Sequence, residues 1–523
     1  MSADATIRRS SRHWIRTRWA AYLGVALLGL LAHLPGLIDP AIYHDEVITR
    51  LLTAGNPDPA WPRSVVPAGQ LESQVFGSSA RPRQLVSDLR RFDVHPPVYF
   101  LVVSAWSSIF GRSLIVLRLF SVFTMVVAAI VFQSMLRRAR HPAPVGTSLL
   151  LVSLSGVAVV GQAARPYGLA FCLVCLATWF LVSAAAETGT WHHILGCVLC
   201  CALAFLTSYL ALFPVGALLA ALVWVSWRRS KLWVLVIPSL IALSWLPWAR
   251  FVVQQSRSRP GQDEGFQGWA TQFVDLWRAH ETLLWVTYHP LRSLLVGVLA
   301  CVLVLACVRL RRPGDAALLW MLLSWTLIPT IGVVVLNLSF DKHLAEPRYF
   351  HLAAPGIAGL LGYSLGRFPK LGFLGVPFFA LQLIALSQVA TRGTMPSQLA
   401  ATIAVGGPVS SVSLVGAGAG FDGFSGQVVS ELEPDTPVVV LDEVGDLDVI
   451  EELVQPYDEV WLLAPPPHAT RGLEDIAFGQ LVESGAFRVR KANESACHLV
   501  RRRREPESTG RSPIEESRRP PVS

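Results

Sequence analysis

Asp45 and Glu46 stand side by side in the stretch AIYHDEVITR (41–50), a few residues past the first long apolar run. A carboxylate at such a boundary can be a solvated loop residue or a functional group. The loop that follows adds His44, Asp93 and His95, and His95-Pro96-Pro97 opens a short apolar stretch whose prolines fix its entry. Farther along, Arg165 and Tyr167 share the turn AARPYG (163–168), and Arg348-Tyr349 ends DKHLAEPRYF (341–350) just before another apolar run. Arg118 lies near the start of the run after the loop. Each cation could snorkel to lipid headgroups. Several cations facing an acid pair at one lipid–water boundary would instead suit a lipid-linked phosphate. An enzyme acting there would need a carboxylate base to deprotonate an attacking hydroxyl.

The elements that must bring these residues together are membrane helices. The chain has 523 residues, 52% of them hydrophobic and 15% charged, and a mean hydropathy of +0.47. Soluble domains carry about 25% charged residues. The apolar residues fall into blocks of spanning length, roughly 20 residues for a core about 30 Å thick. Candidate spans cover 20–38, 114–135, 145–163, 166–186, 193–208, 209–227, 232–249, 291–308, 316–338, 349–366 and 371–391. The first follows Arg8, Arg9, Arg12, Arg16 and Arg18 and resembles a signal sequence. Its length and the lack of a small-x-small cleavage site favour a retained span. The expected fold is an all-α polytopic membrane protein of about eleven transmembrane helices.

The stretch 97–111 is too short to be a twelfth, reaching about 22 Å. Charge agrees. With eleven spans, the inner segments hold the N-terminal arginines, Arg137/Arg138/Arg140, Arg228/Arg229/Lys231, Arg309/Arg311/Arg312 and Arg367/Lys370. A twelfth span at 97–111 would move every group but the first to the outer side, against the positive-inside rule. So 97–111 reads as an interfacial helix, a setting that suits Tyr99 and Trp106. The outer face then receives the loop 39–113, the turn 163–168, the loop 250–290, the stretch 341–350 and everything after 391. The net charge of +8 sits mostly between apolar blocks, which is no nucleic-acid signature.

After residue 391 the apolar runs shorten to strand length. VSSVSLVGAG, PVVVL, EVWLL and FRVRK read as strands, and LDVIEELV and LEDIAFGQLVES as amphipathic helices. Residues 1–391 form the transmembrane domain, 392–500 a small α/β extracytoplasmic domain, and 501–523 a charged, disordered tail. Gly418-x-Gly420-x-x-Gly423 with Asp442 outlines a dinucleotide fingerprint. The short following helix and the small domain favour a plain turn. Cys172-x-x-Cys175 and Cys197-x-x-Cys200 mimic metal spacing. Inside apolar helices, cysteine is ordinarily a small packer.

Five segments in order resemble a known family. HDEV (44–47), HPPVYFLVVSAWSSIFGRSLIVLRLFSVF (95–123), ARPYGLAF (164–171), LTSYLALF (206–213) and EPRYFHLAAPGIAGLL (346–361) are similar to segments of the GT-C glycosyltransferases. The likeness is to the protein O-mannosyltransferase and lipid A aminoarabinose transferase superfamily (family 39), over roughly 20–390. The resemblance implies transfer of a hexose or pentose, with inversion, from a polyprenyl-phosphate donor to an acceptor hydroxyl on the outer face. By matching position, Asp45 is the expected general base and Glu46 its neighbour that orients acceptor or donor. His95 would line the first-loop cavity. Arg165 and Arg348 would serve the donor phosphate, with His44, Tyr167 and Tyr349 as further substrate-binding residues. Members differ in needing a divalent metal. Here one would require Asp45, Glu46 and His95 to gather, so no cofactor and no metal ligand are assigned. The Pro-rich insert AGNPDPAWPRSVVPAGQ (54–70) departs from the family pattern. Glycan, lipid and protein acceptors all stay open.

The expected location is a bacterial-type cytoplasmic membrane, N-terminus inside and C-terminal domain outside. The main alternative is a polytopic transporter or flippase for a lipid-linked or sugar substrate. That class shows ionisable or broken helices at the midplane and often repeated halves, whereas the ionisable groups here gather at one face. A non-catalytic membrane scaffold is the third reading, and it would not need Asp45.

Overall fold

A computed structural model describes residues 3–38, 44–59, 61, 64–93, 95–186, 190–227, 233–258, single positions between 271 and 282, 315–340 and 347–367. Beyond these it describes 411–416, 429–430, 432–441, 450–463, 481, 487–492 and 496–501. The chain forms two compact units, Met1–Pro57 with Phe76–Thr394, and Asp58–Val75 with Met395–Ser523.

The first unit is helical. Helix α1 spans Ala3–Ile38 and α2 His44–Ala54. After the excursion into the second unit come α4 (Pro82–Phe92), α5 (Val98–Phe110) and α6 (Leu114–Arg138). Helices α7 (Pro144–Ser153), α8 (Ser155–Gln162), α9 (Tyr167–Ala185), α10 (Trp191–Phe205), α11 (Leu212–Trp227) and α12 (Trp233–Ser258) follow. Helix α13 spans Ala316–Phe340, α14 Pro347–Phe350 and α15 Ala354–Arg367, with a 3₁₀ turn at His351–Ala353.

Among the described residues five helices are long and apolar enough to cross a membrane, and six if the bent pair α7–α8 is one span. The protein is thus a multi-pass membrane protein, mostly helical. The expected span 145–163 is broken, with its halves bent by 69°. The break falls at Leu154, whose ψ of 115° lies outside the helical region. The apolar run at 193–208 forms the 15-residue α10, shorter than a full crossing. The stretch 97–111 does form a short apolar helix, α5. Expected spans 291–308 and 371–391 lie outside the described residues.

Packing is close where residues are small. Cys172, Cys175, Cys197, Cys200 and Cys201 are free thiols buried where α9 meets α10, in the apolar core shared with α6, α13 and α15. Gly36 near the end of α1 lies against Gln162 at the end of α8, where a side chain on Gly36 would overlap the amide. Helix α2 stops at Gly55, whose φ of +74° favours glycine. The amides of Gly55 and Asn56 return to the carbonyls of Leu52 and Leu51 and close the helix end.

The second unit holds a six-stranded sheet. Strand β1 is Val66–Pro67, β2 Ser411–Gly416, β3 Pro437–Leu441, β4 Glu459–Leu463, β5 Phe487–Ala492 and β6 Ala496–Arg501. The order is β1-β3-β2-β4-β6-β5. Strand β2 pairs parallel with β3 and β4, while β1, β6 and β5 add antiparallel. Helix α3 (Ala68–Phe76) follows β1, and the short α16 (Ile450–Val454) precedes β4. The four segments read as strands are strands, and ACHLVR (496–501) is a further one. The Gly418–Gly423 turn, the LEDIAFGQLVES helix and the tail past Arg501 lie outside the described residues.

His141, between α6 and α7, is buried and uses both ring nitrogens. Nδ1 accepts from the Ala143 amide at 3.1 Å, and Nε2–H donates to the Gly359 carbonyl at 3.0 Å. This is the neutral imidazole. Burial pushes its pKa down to about 4; the Gly359 bond and Asp315 oppose this to a smaller extent, and Arg367 adds to it. The folded pKa lies below the unfolded value of about 6.5, so the unfolded chain binds the extra proton first. This group's contribution to stability is whole above pH 6.5 and is lost as pH falls toward 4, by about 3 kcal/mol in all. His141→Gln should therefore melt at a lower temperature at pH 7 yet show a flatter pH dependence between 6.5 and 4. Equal slopes for the two proteins in detergent melts would contradict this assignment.

Candidate active site

The site begins with helix geometry. Asp45 and Glu46 occupy the first turn of α2, where the helix dipole favours acids. Adjacent helical residues point about 100° apart, so the two carboxylates face different surroundings.

Glu46 faces inward and is fully buried. Its Oε1 accepts from Arg118 Nε at 2.9 Å, and Oε2 from Arg118 Nη2 at 2.6 Å. The Ala164 amide donates to Oε1 at 2.9 Å. Arg118 of α6 is equally buried, and its Nη1 donates to the Gly36 carbonyl at 3.1 Å. The two-pronged fork satisfies both charges without water. One ion pair thus joins the end of α1, the start of α2, the body of α6 and the turn after α8.

Asp45 faces the other way. Its Oδ2 accepts from Arg348 Nη1 at 2.6 Å, and the two side chains are 29% and 31% exposed. Of the adjacent acids, Asp45 alone can reach a bound molecule without the site opening. Arg348 lies on α14, its guanidinium 5.2 Å from the centre of the Tyr349 ring. Its backbone carbonyl is held by His351 Nδ1 at 2.5 Å. The buried His351 ring stands edge-on to Tyr167, 5.3 Å away, and near Phe171. Tyr167 therefore supports the Arg348 segment through His351.

Arg165 is buried in the turn 163–166. Its Nη1 donates to the Asp45 carbonyl at 3.2 Å and lies 3.5 Å from Asp93 Oδ2. Asp93, at the C-terminal cap of α4, places Oδ1 2.9 Å from His95 Nδ1, and Arg165 Nη2 stands 3.1 Å from the same nitrogen. The ring nitrogen serves one of them at a time, the tautomer choosing which. Burial works against the charge on Arg165, but Asp93 and Asp45 outweigh it and raise its pKa above the usual arginine value. Arg165 stays cationic and binds α2, α4 and the turn together.

The structure therefore gathers Asp45, Glu46, His95, Arg165, Tyr167 and Arg348. Tyr349 packs half-buried against the core beside Arg348. His44 opens α2, and its side chain is outside those described. No group of three His, Cys, Asp or Glu suited to a metal ion occurs among the described residues. Glu46, one of the three ligands a metal would need, is committed to Arg118. Sequence reasoning named Asp93 among the loop residues and Arg118 among the boundary cations but paired neither, and it did not single out His351 or Gly36. Arg118 carried a signal, a lone charge inside LIVLRLFSVF. His351 and Gly36 carried none.

These features fit the class suggested by the motifs, the GT-C membrane glycosyltransferases, which the chain resembles. Residues 94–248 match the family described as dolichyl-phosphate-mannose-protein mannosyltransferase. The match holds His95, Arg118, Arg165 and Tyr167, while Asp45, Glu46 and Arg348 lie outside it. Among solved structures the chain is similar to the protein O-mannosyltransferase Pmt1–Pmt2 complex of S. cerevisiae bound to the sugar donor. Identity there is 14%, over 47% of this chain and 35% of that one, with a TM-score of 0.32. ArnT from Cupriavidus metallidurans bound to undecaprenyl phosphate is 13% identical, over 92% of this chain and 98% of that one, with a TM-score of 0.36. The arabinofuranosyltransferase AftD from Mycobacteria is 13% identical, over 92% and 40%, with a TM-score of 0.37. The chain thus spans well under half of the yeast and mycobacterial chains. No curated protein sequence matches it.

Breaking a buried ion pair by removing one partner costs about 3–5 kcal/mol. Glu46→Gln should lower the melting temperature sharply or prevent accumulation in membranes. Glu46→Gln with Arg118→Met removes both charges and should recover part of that loss. A double variant no more stable than Glu46→Gln alone, in detergent melts, would refute the pairing as the source of the effect.

Proposed function

We propose that this protein is an integral-membrane glycosyltransferase that moves a sugar from a polyprenyl-phosphate donor to an acceptor hydroxyl on the outer face, with inversion. The observation that carries the reading is the half-exposed Asp45–Arg348 pair mounted on the buried Glu46–Arg118 and Asp93–Arg165 pairs. A base and an anion-binding cation stand side by side on a rigid base. The match of residues 94–248 to a family described by a dolichyl-phosphate-mannose donor supports the donor class.

Arg348 is the cation with exposed surface, so it receives the donor phosphate. A phosphate at Arg348 competes with Asp45 for the guanidinium and leaves the carboxylate open to the acceptor. Asp45 takes the proton from the acceptor hydroxyl, whose oxygen attacks the anomeric carbon. The bond to the phosphate oxygen breaks on the opposite face. The lipid phosphate departs with its electron pair and an added negative charge, which Arg348 stabilises. Arg165 is buried and tied to Asp93 and the Asp45 backbone, so it positions the base. Glu46 likewise acts through Arg118 and the Ala164 amide. His95 and Tyr167 support the same frame. The multi-pass helices hold the donor's lipid at the membrane, and sugar and acceptor identities are open.

Loss of a general base costs roughly 10²–10⁴-fold in rate. Purified Asp45→Asn, assayed against a panel of polyprenyl-phosphate sugars, should lose kcat by at least about 100-fold while still binding donor. Arg348→Gln should chiefly weaken donor binding and raise KM. Unchanged turnover in Asp45→Asn would refute the base. Failure of the wild-type protein to transfer from any donor would favour a transporter or a scaffold.

A further inference from the structure

The Pro-rich insert of the first loop forms part of the second unit. Val66 and Pro67 pair antiparallel with β3, opposite Val438 and Pro437. The Ala68 amide donates to the Thr436 carbonyl and the Gly69 amide to the Pro434 carbonyl, both at 2.9 Å. A Cβ on Gly69 would come within 2.9 Å of Pro434. Trp61 and Ala68 of the insert, and Leu71 and Val75 just after it, are all buried. Proline suits such a position, because an edge strand has a side that needs no donor.

The two ends of the insert are drawn together within the first unit. Ser78 Oγ donates to the Ala54 carbonyl at 2.6 Å, the Ala80 amide to the Thr53 carbonyl at 2.9 Å, and Gln84 Nε2 to the Gly55 carbonyl at 2.7 Å. The insert is a closed excursion of the loop, a compact Ω-like form. Its start follows directly from α2, the helix of Asp45. Its end leads to α4, which is capped by Asp93.

We infer that this insert is a docking strand: it closes one edge of the C-terminal sheet and holds that sheet in the compartment of the loop that carries Asp45. The inference stands apart from the chemistry proposed above. Two consequences follow. A ladder cannot form across a bilayer, so residues 66–69 and 434–441 share one side. An even number of spans must then separate residue 113 from residue 411, as ten do in the eleven-span reading. In addition, the sheet has a second attachment besides the chain after residue 394. A second tether raises effective concentration and holds the unit in place even if the first is cut.

The test uses the full chain with a protease site inserted after residue 400. Spheroplasts are treated with protease from outside, and the membranes are washed and sedimented. The C-terminal fragment should be cut free in intact spheroplasts and still sediment with the membranes. A parallel chain carries Ala68→Pro and Gly69→Val. Proline is tolerated at the first position of a helix, so α3 survives while the bond to Thr436 is lost. Valine at 69 collides with Pro434. This variant should release at least about ten times more fragment into the supernatant, as expected from loss of a tether. A second measurement pairs Val66→Cys with Val438→Cys and adds a short bifunctional thiol reagent, with each single variant as control. Fragments joined only in the double variant support the pairing. Cleavage only after permeabilisation, equal release from wild type and variant, or no joining in the double variant would each overturn the inference.

Discussion

The site depends on one buried ion pair. Glu46 and Arg118 are out of contact with solvent, so neither can be lost without stranding the other. Their fork is more than charge neutralisation. Arg118 also reaches the Gly36 carbonyl, and Glu46 also receives the Ala164 amide. Four chain segments far apart in sequence converge on two side chains. Gly36 has no side chain because Gln162 fills the space beside it. The geometry of Asp45 is set by this junction: α2 begins where Glu46 is pinned, and Asp45 is the residue just before it.

The contrast between the two acids is one of environment. Glu46 has traded water for a guanidinium fork and an amide. Asp45 keeps part of its hydration and an ion pair with a partly exposed arginine. The first arrangement is rigid and the second exchangeable. An acid meant to receive a proton needs the second kind, and an acid meant to hold a helix in place needs the first. Arg165 repeats the rigid kind one layer away, where it fixes the Asp45 backbone through its carbonyl.

Much of this was legible in the sequence, for physical reasons. Apolar runs of spanning length and the uneven placement of arginine revealed the membrane helices. Helix α5 was readable as a short helix because its length falls below the bilayer core. Asp45, Glu46, His95, Arg165 and Arg348 could be singled out because each is a polar group at an apolar boundary. The division of labour between Asp45 and Glu46 was not readable, since it depends on which helix face meets Arg118. The break at Leu154 left no proline or charge to announce it. The insert 54–70 read only as a Pro-rich departure within the first loop, because a two-residue strand has no periodicity and its partner β3 lies more than 360 residues later. His351 lies in an apolar run and looked like any buried residue.

The order of residues along the chain gives the junction a further meaning. Synthesis proceeds from the N-terminus, so α1 and Glu46 emerge before Arg118, 72 residues later. When α6 is made, the residue that supplies the countercharge of its arginine has already been synthesised. Asp45 meets Arg348, which lies 303 residues after it, far later. The scaffold of Glu46, Arg118, Ala164 and Arg165 is therefore complete within the first third of the chain, while Asp45 gains its arginine partner only from a segment made much later.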